Sequence, residues 1–341
     1  MIILSDALNV KTDEGCLKVA NSLVKRIKNR HQNTLVVSYG DSKNNPCIDE
    51  KLKLNKLFLN SSLFSLIKKK KESVLYIPFS SNTFFSVIRT LVLSLLTNQN
   101  VKVAFVLRHP MNGVTKQILK LSRAEVIVFS KESYNYFRGF NVKTTYIKTG
   151  VDTKTFIPVK DDAEKTRLRE KYHLPVDKKI VLHVGHLTKE RNVEQLLKIK
   201  DDYHVLLVVS YVSDDMEQAK IMKKKILERP NTTIIDDYIE NIEEIYQMAD
   251  VYFFPTTDVE GCIDVPLSVM EAASCDLPIV TTCYGEIKEF YGKKGFYFID
   301  TLTDKYINSS LEQSMSECAC ENRSAVLEYD WERAVSFLVE N

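Results

Sequence analysis

Asp258–Glu289 reads DVEGCIDVPLSVMEAASCDLPIVTTCYGEIKE. Ahead of it, Val251–Pro255 (VYFFP) is a short, wholly apolar run of the kind that forms a buried strand. A loop follows, a helix begins around Leu267 and ends near Cys275–Asp276, and LPIVTT reads as the next buried strand. A helix start aimed at a cleft offers unpaired N–H groups and a positive dipole end, which suit a phosphate. Leu267, Ser268 and Val269 are the residues expected to supply those groups. Glu271 lies one turn inside, where its carboxylate can accept hydrogen bonds from a sugar hydroxyl. The stretch therefore suits a phosphorylated sugar nucleotide, although an ordinary βαβ unit has the same pattern.

Composition sets the frame around this stretch. At 341 residues, 44% hydrophobic and 27% charged, the chain is expected to form two globular domains. Its cysteines (Cys16, Cys47, Cys262, Cys275, Cys283, Cys318, Cys320) follow no disulfide framework, and no Cys/His pair completes a zinc site with Cys318 and Cys320. Reduced thiols and a cytoplasmic location are expected. MIILSDALNV lacks a basic start and a long apolar run, so no signal peptide is expected. Residues 1–150 hold 24 Lys+Arg against 9 Asp+Glu, a balance of +15, while the rest hold 23 against 36, a balance of −13. The basic half suits an anionic membrane surface or acceptor, and suits attraction to the acidic half equally well. No nucleic-acid partner is expected.

In the first half, Ile2–Leu4, Thr34–Ser38, Ser73–Pro78, Val101–Leu107 and Ala124–Ser130 read as strands, and Gly15 opens a helix. Residues 52–71 (LKLNKLFLNSSLFSLIKKKK) read as a helix with an apolar stripe and a basic end, which packs on a sheet or lies at a membrane surface. Phe84–Leu96 spans thirteen residues, short of the ~20 needed to cross a bilayer, and is expected to be a buried helix. Val101–Leu107 delivers Arg108 and His109 at a strand's carboxyl end, where open α/β sheets bind ligands. Tyr146–Pro158 (YIKTGVDTKTFIP) reads as a linker. Beyond it come strand Lys179–Gly185, the loop His186–Asn192, strands His204–Ser210 and Thr232–Ile235, and Asp237-Tyr238.

VPLSVMEAASCDLPIVTTCYGEIKE, together with His109, the TGVD…FIP linker and the Gly185–Asn192 loop, resembles retaining glycosyltransferases of the GT-B fold, family 4 type. The resemblance implies an α/β protein of two Rossmann-like, doubly wound domains facing a central cleft. Its parts are an acceptor domain over 1–157, a nucleotide-sugar domain over 158–328, and a helix over 329–341 that returns to the first domain. It implies transfer of a sugar from a UDP- or GDP-linked donor to an acceptor hydroxyl, on a glycan or lipid-linked acceptor, with no cofactor and no metal. Gly185, His186 and Arg191 fall at the diphosphate loop, with Arg191 at the family's Lys and His186, a departure, at its Arg. Asp237 and Tyr238 fall at the base, Glu271 at the ribose, His109 beside the transferred sugar, and Gly15 on the acceptor side; Arg108 is assigned to the acceptor with it. The family's first acid falls at Ile263, leaving Glu260 or Asp264 to replace it. A nucleotide-sugar 2-epimerase and a non-catalytic subunit of the same fold are the alternatives.

Overall fold

The computed structural model describes residues 1–8, 14–39, 45–98, 100–210, 216–259, 261–317 and 321–340. It divides into two compact units, Met1–Thr149 with Trp331–Asn341, and Gly150–Asp330. The sequence reading set the junction after Ile157. The chain joins the second unit earlier because Val151 already bridges to Asp330, the Thr153 N–H donates to the Asp330 carboxylate at 3.0 Å, and Phe156 is buried in that unit's core.

In the first unit β1 (Ile2–Ser5), α1 (Gly15–Arg30), β2 (Leu35–Ser38), β3 (Glu50–Lys51), α2 (Ser61–Lys70), β4 (Val74–Ile77), α3 (Phe84–Leu96), β5 (Val101–Phe105), α4 (Gly113–Ser122), β6 (Glu125–Val128), α5 (Lys131–Arg138) and β7 (Thr144–Tyr146) alternate along the chain. Its strands are parallel and ordered β3-β2-β1-β4-β5-β6-β7, the doubly wound order. Right-handed crossovers put α1 on one face and α2 to α5 on the other.

Residues 52–71 form a helix only from Ser61. The Asn55 side chain accepts the N–H groups of Leu57 and Leu59, and Asn60 caps α2 by accepting those of Ser62 and Leu63. These side-chain bonds compete with helix over 52–60. Within α2, Leu63 and Ile67 pack into the core as the apolar stripe predicts, and the lysines keep their predicted place at its C-terminal end.

The second unit runs α6 (Asp162–Lys171), β8 (Ile180–His186), β9 (His204–Ser210), α7 (Met216–Leu227), β10 (Thr232–Ile235), α8 (Ile242–Met248), β11 (Val251–Phe254), α9 (Leu267–Ser274), β12 (Ile279–Thr281), β13 (Phe296–Phe298), α10 (Asp304–Ser316) and α11 (Asn322–Val326). Its parallel order, β10-β9-β8-β11-β12-β13, repeats the doubly wound plan. Apolar clusters fill both faces of the sheet, as the near-continuous hydrophobic strands require. The final helix, α12 (Trp331–Glu340), groups with the first unit: Arg26 meets Glu332 at 3.4 Å, and the Lys102 ammonium donates to the Leu338 carbonyl at 3.1 Å.

At the amino end of the second sheet, Asp250 accepts from Lys165 at 2.8 Å, Arg169 at 2.7 Å and the Ile180 N–H at 2.7 Å. Burial alone would raise the Asp250 pKa, but Lys165, the Ile180 N–H and Arg169 outweigh it and hold the value below the usual range. A depressed carboxyl adds stability that is complete above the unfolded pKa of about 3.9 and fades as pH falls through the folded value. Asp250→Asn is expected to lose about 2–4 kcal/mol at neutral pH. In urea melts, the gap from the parent protein should shrink as the pH drops below about 4.

Candidate functional site

The second sheet reverses its winding between β8 and β11. In an open α/β sheet, the crevice outside the carboxyl ends of the strands at such a switch point is the ligand site. Two loops leave the sheet there, residues 187–192 after β8 and 255–266 after β11, and the second leads into α9.

The loops are bound to each other. Asn192, in the left-handed region at φ 54°, donates from its side chain to the Pro255 carbonyl at 3.1 Å and to the Thr257 hydroxyl at 2.7 Å. Gly261 lies so close to the Glu190 backbone that a Cβ there would stand 2.5 Å from its carbonyl oxygen. Farther along, the Glu286 N–H donates to the Asp264 carbonyl at 2.8 Å. These contacts fix where α9 begins relative to Arg191.

Arg191 is the central group. It ends a single 3-10 turn, Lys189–Arg191, and its guanidinium lies against Gly185 of β8, with the residue 8% exposed. A side chain at Gly185 would occupy that space. The Arg191 Nε is buried with no hydrogen-bond partner. A buried donor left unsatisfied on a cation is costly, so the arrangement suits an incoming anion.

Cys262, Tyr284 and His183 stand around it, with the Asp264 carboxylate also acting on the first two, in the sense opposite to Arg191. Burial pushes the Cys262 thiol pKa up, with Arg191 opposing the shift. His183, inside β8, binds the Phe253 carbonyl through Nδ1 at 2.9 Å, and burial holds its pKa down to about 4, so it is neutral. Its buried Nε2 also lacks a partner and points toward Gly185. Tyr252 stacks on His183 and donates to the Val184 carbonyl at 3.2 Å, and the Ser268 side chain bonds the same phenol. Ser268 at the start of α9 and Arg191 therefore share one polar spot.

Pro266 precedes α9 and offers no side-chain cap. Its carbonyl takes the N–H groups of Val269 at 3.1 Å and Met270 at 3.2 Å. The helix geometry leaves the Leu267 and Ser268 N–H groups as its donors to a ligand, whereas the predicted Val269 donor is already engaged. Glu271 is 4% exposed and accepts the Tyr246 hydroxyl at 2.8 Å. Asp264 is half-buried and Ile263 is buried. Glu260 lies outside the described residues. His186 closes β8, half-buried, while Lys189 is exposed. Asp237 and Tyr238 follow β10, with the Tyr238 ring 61% exposed.

In the first unit, Gly15 is the first residue of α1; residues 9–13 of the loop before it lie outside the described set. His109 stands beyond β5, half-exposed, with its backbone clamped by Asn82. The Asn82 amide donates to the His109 carbonyl and accepts its N–H, both at 2.7 Å. The Tyr136 hydroxyl takes the Met111 N–H at 2.8 Å. Arg108 pairs with Glu132 at 3.3 Å and lies over the Tyr136 ring. Sequence reasoning missed His183, Tyr252 and Asn82; the first two look like ordinary strand residues, and Asn82 gave no signal. Among the described residues, no group of three His, Cys, Asp or Glu side chains is placed to hold a metal ion, and no helix is long and apolar enough to cross a membrane.

Two parallel, doubly wound Rossmann-like units define a protein of the GT-B architecture. Residues 164–318, within the second unit, match the model of the family Glycosyl transferases group 1. Over 144 residues the chain is 25% identical to alpha-galactosylglucosyldiacylglycerol synthase of Streptococcus pneumoniae. That match covers 40% of this chain and 37% of the relative, so the chain spans little over a third of its length. A glycosyltransferase from Rickettsia africae superposes with a TM-score of 0.77 at 14% identity, over 99% of this chain and 96% of that one. Anabaena HepE, in complex with UDP and glucose, gives 0.69 at 13% identity, over 98% and 94%.

Proposed function

We propose that the protein is a retaining glycosyltransferase that moves a sugar from a nucleotide diphosphate sugar to an acceptor hydroxyl. The observation that carries this reading is the buried Arg191 guanidinium with its unpartnered Nε, beside the uncapped start of α9 at the switch point. The diphosphate lies against Arg191 and the N–H groups of Leu267 and Ser268, close to Gly185 and His186. Negative charge grows on it as the bond to the sugar breaks, so these fixed donors stabilise the transition state more than the ground state. Arg191 supplies the positive charge without a metal ion.

The remaining roles follow the same reading. Glu271 receives the ribose hydroxyls, for which the Tyr246 hydroxyl already orients its carboxylate. The exposed Tyr238 ring and Asp237 face the base. His109 and one acid, Glu260 or Asp264, contact the transferred sugar. Gly15 and Arg108 belong to the acceptor side, and the acceptor hydroxyl attacks the face from which the diphosphate leaves. The family match and the HepE complex with UDP and glucose support a nucleotide-sugar donor. The diacylglycerol synthase relative supports a lipid-linked or glycan acceptor.

The test pairs UDP- and GDP-sugars with lipid and glycan acceptors. It follows release of nucleoside diphosphate and the anomeric configuration of the product by NMR. Release that depends on the acceptor, with configuration retained, is expected, and Glu271→Ala should lower kcat/KM about a hundredfold. An epimer formed from donor alone, or donor binding with no turnover for any acceptor, would contradict the proposal.

A further inference from the structure

Helix α3 is apolar on both sides. Its buried side sets Val87 and Leu93 into the core beside Ser86, Thr90 and Ser94, which are spaced four residues apart and at most 1% exposed. Each of these three hydroxyls has a polar partner: the Thr90 hydroxyl donates to the Ser86 carbonyl at 2.9 Å, Ser94 to the Ser122 carbonyl of α4, and Ser86 shares a hydrogen bond with Ser80. These small groups let α3 pack closely on α4. The outward side carries Phe84, Ile88, Leu91 and Leu95 at helical spacing, with Phe84 44% and Leu95 73% exposed.

The stripe continues onto its neighbours. At one end Phe84 meets Phe85, itself 42% exposed, and the Lys56 ammonium lies over the Phe85 ring. At the other end Leu121 of α4 is 69% exposed beside the Ser94–Ser122 bond. A continuous apolar strip of this kind marks a surface that is covered by something else.

Charge identifies what covers it. Residues 51–124 hold thirteen Lys and Arg but one acidic residue, Glu72, which pairs with the N-terminal ammonium. An apolar stripe framed by exposed lysines such as Lys56 and Lys120, with almost no acid nearby, is the pattern of an element lying in the interface of an anionic bilayer. We infer that the outward face of α3, with Phe85 and Leu121, docks on an anionic phospholipid surface. The inference is independent of the catalytic reading, because docking needs no donor and no turnover.

Flotation of the full chain with vesicles tests it, using phosphatidylcholine alone and phosphatidylcholine mixed with phosphatidylglycerol. Binding to the mixed vesicles only is expected, and it should be lost at about 1 M salt, where charge screening acts within about 3 Å. Phe84→Ser combined with Leu95→Ser should weaken partitioning at least about tenfold. Leu95→Glu alone, at a position that carries no packing load, should weaken it too, with an unchanged thermal melt as the folding control. Failure of the parent protein to bind the mixed vesicles would overturn the inference, as would parent-like binding by both variants. A dimer seen by light scattering, broken by Leu95→Glu in a protein that ignores vesicles, would assign the stripe to a second copy of this chain instead.

Discussion

Arg191→Ala is expected to lower kcat/KM for the nucleotide-sugar donor by about 10²–10³-fold, because under the proposed function it removes the charge facing the leaving diphosphate. The guanidinium is buried against Gly185 and Cys262, and its Nε is left unsatisfied. A residue placed for folding alone would leave the protein less stable when truncated. One held ready for an anion should cost little stability, because its buried, unsatisfied Nε is itself unfavourable. The variant's melting temperature without ligand is therefore expected to match or exceed that of the parent. Arg191→Lys keeps the charge and loses the two-pronged donor set, and should recover only part of the activity. Steady-state kinetics with a thermal melt of each variant checks both halves; a large fall in stability with unchanged turnover would make Arg191 a structural residue.

Gly285→Val is expected to destabilise the second unit by about 2–5 kcal/mol, combining backbone strain with a steric clash. Gly285 sits at φ 49°, in the left-handed region that a β-branched residue avoids, and its missing Cβ would overlap the Asp264 carbonyl oxygen. That carbonyl also accepts the Glu286 N–H, which ties the loop leading into α9 to the turn after β12. Displacing the loop shifts the start of α9, so nucleotide affinity should fall along with stability. For a unit of this size, the melting temperature should drop by about 4–20 °C. Gly113→Ala is the control, since nothing lies within 4 Å of the added Cβ and its φ is not positive. A Gly285→Val protein that melts like the Gly113→Ala protein would remove the loop from the account.

The elements nearest the candidate site were the most legible ones. Val251–Phe254, Leu267–Ser274 and Ile279–Thr281 follow from short apolar runs and local breakers, whereas the two doubly wound sheets were expected from the family resemblance. Where side-chain hydrogen bonds outweigh apolar spacing, the reading failed: Asn55 and Asn60 redirect residues 52–60 out of the helix that their leucines suggest. The surroundings of Arg191 were not legible either. His183, Tyr252 and Cys262 come from separate elements and meet it only after the sheet forms. Phe84–Leu96 was read as a buried helix from its hydrophobic content, but only one side is buried, through Val87 and Leu93 with Ser86, Thr90 and Ser94, while Phe84, Phe85 and Leu95 are exposed. Composition cannot show that division, because it depends on which side of the helix is packed.

Calorimetric titration of UDP and GDP into the full chain, beside the matching monophosphates, tests the central claim most directly. The account predicts saturable binding of at least one diphosphate, weaker binding of its monophosphate, and loss of the difference in Arg191→Ala. Equal affinity for both phosphate lengths, or unchanged diphosphate binding in Arg191→Ala, would contradict it.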